Sequence, residues 1–131
     1  MGRTNEAVVY LDTHIVVWLH AGLTEKFTDT AKNTIDGCDV LISQFIRLEL
    51  QYLFEIARIK VKPETIVKHL SKAINLKVTN YPLERIIEEA LKIDWTRDVF
   101  DRLLVAEVVA RGSRFITADK TILSNLRLAI W

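Results

Sequence analysis

The chain has 131 residues, half of them hydrophobic and 27% charged, with a formal net charge of +1 and a single cysteine. That length suits one ordinary domain able to bury roughly two-thirds of its unfolded surface, so residues 1–131 are expected to fold as one unit without a staple. A nearly neutral balance excludes a binder that grips nucleic acid by bulk charge; any contact with RNA must use local basic groups and bound metal.

The opening segment MGRTNEAVVYLD has no long apolar stretch and does not read as a signal peptide. No run approaches the ~18 apolar residues of a membrane span. Cys38 has no partner for an intrachain disulfide, which agrees with a reducing, cytoplasmic setting. Residues 7–11, AVVYL, form a β-branched and aromatic run that predicts a buried strand ending at Asp12. THIVVWLH at 13–20 predicts a short helix stopped by Gly22, and 27–36 a second helix closed by Gly37. DVLI at 39–42 is the next strand. Ser43 is placed to cap a long helix over 44–60, and Pro63 suits the first turn of a helix over 63–73. A strand at 76–79 precedes Pro82, and apolar residues at helical spacing mark 83–93. A helix over 99–111 is stopped by Gly112, RFIT at 114–117 is a strand ending just before Asp119, and 126–131 is a last strand.

Apolar strands alternating with helices predict an α/β fold in three layers, a central parallel sheet covered by helices. Ligands of such sheets bind outside the carboxyl ends of the strands. Asp12 and Asp119 stand at those ends. Two further acids sit where a helix should be apolar. Phe45, Leu48, Tyr52, Leu53 and Ile56 make a stripe at i, i+3, i+4 spacing, and Glu49 falls inside it, which turns its carboxylate toward the core side. Leu104, Val105 and Val108 place Asp101 on an apolar face at the start of its helix, where the macrodipole offsets part of its cost. An unpaired buried charge costs several kcal/mol, so such acids call for a partner or a metal.

Each acid also has a plainer reading. Asp12 and Asp119 serve as caps for the helices that follow, Asp98 and Asp101 as a capping arrangement, and Glu49 as half of an ion pair. All four together, two at strand ends and two on apolar faces, fit a shared site better. Carboxylates ~5 Å apart repel by about 3 kcal/mol per pair at an effective dielectric near 20. A divalent cation reverses that penalty, and an oxygen-only donor set suits Mg²⁺ or Mn²⁺ rather than zinc.

LDTH at 11–14, the mid-helix Glu49, DVFDRLLVAE at 98–107 and ITAD at 116–119 resemble the PIN-domain pattern, in particular the VapC-type toxins of toxin–antitoxin pairs, over residues 7 to 131. The resemblance implies a PIN-like fold and a metal-dependent endoribonuclease. It further implies a homodimer held inactive by a small antitoxin protein. It maps the catalytic, metal-holding acids onto Asp12, Glu49, Asp101 and Asp119. Asp98, Thr13 and Thr117 are auxiliary candidates, with helix or backbone capping as the alternative role for each. The chain departs from the pattern at Val99, where relatives carry a helix-starting proline, and at Arg47, where they often carry Trp. Neither departure touches an acid.

His14 lies beside Asp12, where substrate contact competes with simple packing. Trp18 and Trp131 read as core or interface aromatics; Trp95, near Arg97 and Arg102, is placed either to hold single-stranded RNA or, the plainer reading, to pack at the rim. Arg58, Lys60 and Lys62 form a basic patch, solvated or tracking phosphate. A haloacid-dehalogenase-type phosphatase would need a second Asp where His14 stands, the receiver pattern does not match, and no phosphate-loop motif is present. The alternative to a nuclease is a non-catalytic PIN-like module that uses the fold to bind RNA or protein.

Overall fold

The computed structural model describes residues 7–131. Half of the opening segment read above for a leader, residues 1–6, therefore lies outside the described residues. Five strands form one parallel sheet: β1 Val8–Leu11, β2 Asp39–Ile42, β3 Lys77–Val78, β4 Arg114–Ile116 and β5 Ala129–Ile130, in the order β3-β2-β1-β4-β5. They alternate with α1 Thr13–Ala21, α2 Asp29–Gly37, α3 Gln44–Glu55, α4 Pro63–Ile74, α5 Leu83–Ala90, α6 Val99–Arg111 and α7 Lys120–Asn125. A 3₁₀ turn, Thr24–Lys26, leads from α1 toward α2. The expected α/β layers are present, with the sheet flanked by helices.

The central strand carries the strongest signature. Val9, Tyr10 and Leu11 are all essentially inaccessible, as a parallel strand must be when helices cover both faces. The helices begin and end where their local chemistry dictates. Ser43 Oγ accepts from Phe45 N, Thr28 Oγ1 from Ala31 N, and Asp98 and Asp119 cap α6 and α7 in the same way. Gly22 and Gly112 close α1 and α6 at φ of 73° and 68°, a conformation that glycine adopts without steric cost.

Three expectations need correction. The helix predicted over 44–60 stops at Glu55, and residues 56–62 form a connection that turns at Ala57, whose φ is 61°. The helix predicted over 83–93 ends at Ala90. The apolar stripe of α3 is only partly buried. Leu48, Tyr52 and Ile56 are 60%, 50% and 44% exposed, while Ile46 and Leu50, off that stripe, are fully buried. Phe45 and Leu53 of the same stripe are half-buried, Phe45 against the core, so only its outer edge is an apolar surface. Spacing alone cannot separate it from a core-facing one, since both obey the same 3.6 period.

The core also contains a carboxylate that the sequence reading passed over. Glu107, on α6, is 1% exposed and accepts from the Tyr10 hydroxyl at 2.7 Å and the Thr79 hydroxyl at 2.5 Å. Burial pushes the Tyr10 phenol up, and its bond to Glu107 adds to the rise, so the phenol stays a donor. Only such donors make a buried carboxylate tolerable. Glu107→Ala is expected to cost about 2–4 kcal/mol, since it opens a void and strands two hydroxyls. Glu107→Gln, which keeps the acceptor and the shape, costs less. Urea unfolding midpoints report both, and an alanine variant as stable as wild type would remove the network from the account.

Candidate functional site

The strand order fixes where a site can form. From β1 the chain steps outward to β2 and β3 on one side, while β4 and β5 lie on the other. The connections leaving β1 and β4 diverge, and a crevice opens at their carboxyl ends. Asp12 follows β1 and Asp119 follows β4. The backbone N–H of Asp12 donates to the Ile116 carbonyl at 3.0 Å, which locks the two strand ends together.

Four carboxylates from separate parts of the chain line one open pocket of about 380 Å³ at this crevice: Asp12, Glu49 of α3, Asp101 of α6 and Asp119. The side chains beside them hold them in place. Asp12, only 4% exposed, accepts from the Thr13 N–H at 2.8 Å and from the Thr117 hydroxyl at 2.7 Å. The Thr13 hydroxyl donates to Glu49 at 2.5 Å. Thr117 also accepts from the Asp119 N–H at 3.0 Å, and Asp119 spends one oxygen on Ile122 N. The two threonines therefore orient acids, and Thr117 serves the backbone as well. Asp98 caps α6 through Asp101 N at 2.9 Å and does not line the pocket.

His14 has a larger part than sequence alone suggested. Its Nε2 accepts from Ala118 N at 3.0 Å, which leaves the ring proton on Nδ1, 3.5 Å from Asp12. The ring thereby ties the end of β1 to the loop after β4. Its other face stands edge-on to Trp18, which packs with Phe27 and Trp131.

The electrostatics are those of a site short of positive charge. Among the described residues, no Lys or Arg forms an ion pair with any of the four acids. Burial raises Asp12, against the pull of His14 and its two hydrogen bonds, and Asp119 adds to the rise. Burial raises Glu49 too, opposed by the Thr13 hydroxyl. Asp101 is pushed up to about 7, first by burial and then by the charges of Asp98, Asp12, Asp119 and Glu49. Its carboxylate has no hydrogen-bond donor among the described residues.

As placed, no three His, Cys, Asp or Glu side chains among the described residues converge closely enough to enclose a metal ion by themselves. The donor chemistry still fits one kind of ion. The acids offer only oxygens, and Mg²⁺ keeps several waters and is held by one or two carboxylates together with phosphate oxygens, which an open pocket of separated carboxylates permits. Two further grooves run along α3 and α4, lined in part by Arg47, and each holds a single carboxylate, Glu64. Trp95 packs against the core, and Arg97 and Arg102 spend their guanidinium groups on the carbonyls of Asp94 and Ala90.

A family model described as PIN domain matches residues 9–127. No curated protein matches the chain in sequence. Similar solved structures include VapBC2 from Rickettsia felis bound to a DNA fragment from its promoter (TM-score 0.69, 14% identity, covering 95% of this chain and 97% of that one). A toxin–antitoxin complex from Klebsiella pneumoniae is similar too (TM-score 0.65, 14% identity, 94% and 96% covered), as is PAE2754 from Pyrobaculum aerophilum (TM-score 0.58, 22% identity, 97% and 91% covered). At these identities the likeness concerns the fold.

Proposed function

The chain belongs to the PIN-domain family, and from that premise we propose that it is a metal-dependent endoribonuclease, the toxin of a type II toxin–antitoxin pair. One observation carries the reading: four carboxylates from four places in the chain share one pocket, and among the described residues no Lys or Arg pairs with them. Such a pocket favours a divalent cation and whatever the cation brings with it. Asp12, Glu49, Asp101 and Asp119 are the proposed catalytic and metal-holding residues, with Thr13 and Thr117 orienting them. When bound, Mg²⁺ or Mn²⁺ supplies Lewis acidity, lowering the pKa of a water and offsetting charge that develops on the phosphate.

The protein's own part is positional. Asp12 is clamped by donors on both oxygens, so it offers a fixed direction. Asp101, with no donor among the described residues, would be free to adjust to the cation. His14 holds the two strand ends at constant spacing. The test is hydrolysis of a single-stranded RNA by the purified chain in Mg²⁺ or Mn²⁺, stopped by EDTA. No cleavage in either metal, with no small protein copurifying, would turn the reading toward a binding module.

A small antitoxin is the proposed partner, in keeping with the toxin–antitoxin complexes among the similar structures. No helix among the described residues is long and apolar enough to cross a membrane, and a cytoplasmic setting is part of the same proposal. The exposed Leu48, Tyr52 and Ile56 on α3, with Tyr52 near Phe100, favour a homodimer. Tyr52→Glu is expected to shift the molar mass measured by light scattering from two chains to one, since a charge at the centre of an apolar contact is left unpaired. An unchanged mass would place the dimer contact elsewhere.

A further inference from the structure

We propose that Arg58 binds the RNA backbone, with its guanidinium set to grip a phosphate lying across the acidic pocket. The inference rests on the ribonuclease reading and names a substrate contact for that same site. Arg58 lines the pocket together with Asp12, Glu49, Asp101 and Asp119. Yet it forms no ion pair and no side-chain hydrogen bond among the described residues. An arginine that shares a pocket with carboxylates without closing onto them leaves a gap with negative charge on one side and positive on the other. A phosphodiester that meets a cation on the carboxylate side turns its remaining oxygens toward the guanidinium, whose planar fork suits two of them at once.

The backbone is built to keep Arg58 there. The peptide N–H groups of Arg58 and Ile59 both donate to the Leu53 carbonyl, at 2.9 and 3.3 Å. The preceding Ala57 sits at φ 61°, a conformation strained for any residue with a Cβ. That reversal ends α3 and turns the chain back so that Arg58, Ile59 and Leu53 all face the pocket. The neighbouring cations are placed differently. Lys62 lies over the Phe54 ring at 6.0 Å, and neither Lys60 nor Lys62 lines the pocket. The basic patch therefore divides, with one member assigned to the site.

The test compares wild type with Arg58→Ala and Arg58→Lys. Loss of one charge-assisted phosphate contact is expected to lower kcat/KM for a single-stranded RNA about 10- to 100-fold, mainly through KM, with partial recovery in the lysine variant. Melting temperatures should stay equal, because the side chain is exposed. On the cleavage-deficient Asp101→Asn background, anisotropy of a labelled RNA should give a plot of log affinity against log salt that is shallower by about 0.7 when Arg58 is removed. A merely structural residue would not change that slope. If Arg58→Ala cleaves like wild type with an unchanged slope, the arginine contact is wrong and the ribonuclease reading stands. If it leaves RNA affinity intact but tightens Mg²⁺ binding, the guanidinium is a stand-in counter-ion for the acids, and the proposal fails. Equal loss of activity and melting temperature in both variants would make Arg58 structural and overturn it. A wild type that neither binds nor cleaves RNA would remove both the ribonuclease reading and this contact.

Discussion

Asp101→Asn should abolish RNA cleavage while leaving the fold at least as stable as wild type. The two halves of that result have one cause. The Asp101 carboxylate is half-buried, has no donor among the described residues, and feels the charges of Asp98, Asp12, Asp119 and Glu49. Within the fold only the macrodipole of α6 favours its charge, and that falls short of the repulsion; a cation in the pocket would make up the rest. The amide keeps the shape and one oxygen but removes that charge. Loss of one preorganised electrostatic partner in an active site typically costs 10²–10³-fold in kcat, and a metal-holding carboxylate belongs at or above the top of that range. Relief of like-charge repulsion acts in the opposite direction on stability, as is common where function imposes strain. Single-turnover cleavage and a thermal melt on the same samples test both halves. Cleavage by Asp101→Asn at the wild-type rate would sink the metal-site proposal. An unfolded variant would show instead that Asp101 holds the structure.

Much of the architecture was legible because several local signals agreed. The AVVYL run, the alternation of strands with helices, the Ser43 cap and the glycines at 22 and 112 all pointed to the fold that is present. The positions of Asp12 and Asp119 were legible for the same reason, since a strand end can be read from where its apolar run stops. Glu49 was singled out on a premise that holds only in part. Leu48, Tyr52 and Ile56 of the stripe face outward, while Glu49 lies between the half-buried Phe45 and Leu53, where α3 runs past the end of β1 and the Thr13 hydroxyl meets it. An outward apolar face and one made for the core have the same period, so sequence could not tell them apart. Glu107 was hidden for the opposite reason. It lies within a run buried on every side, Leu104 to Val108, where periodicity carries no information about direction. Arg58 was assigned to a helix that ends before it. Its importance depends on the turn at Ala57, and alanine gives no signal for a left-handed backbone.

The metal-free protein should lose stability as pH rises from about 4 to about 7, the reverse of the usual acid denaturation. The sign follows from which state holds more protons. Asp101 titrates near 3.8 when unfolded and at about 7 when folded, so across that window the native state binds the extra proton and stability falls with rising pH. Asp12 and Glu49, both raised by burial, act in the same direction. His20 opposes them: burial and the neighbouring His69 lower its pKa, so it costs stability as pH falls below about 6.5. One opposing histidine at the surface is outweighed by three raised acids. The Asp101 shift taken at face value would exceed 4 kcal/mol, but the group is part-exposed and water screens it, which leaves about 1–2 kcal/mol. For a domain of this size that is a fall of roughly 4–8 °C in melting temperature between pH 5 and pH 8 in EDTA. Asp101→Asn should flatten most of this dependence. Saturating Mg²⁺ should restore the wild type at pH 8 and do less for the variant, because a ligand that binds only the native state stabilises it in proportion to its affinity. A wild-type melting temperature that rises from pH 5 to pH 8 in EDTA, with the same profile in Asp101→Asn, would mean that the four carboxylates do not repel one another as their shared pocket requires.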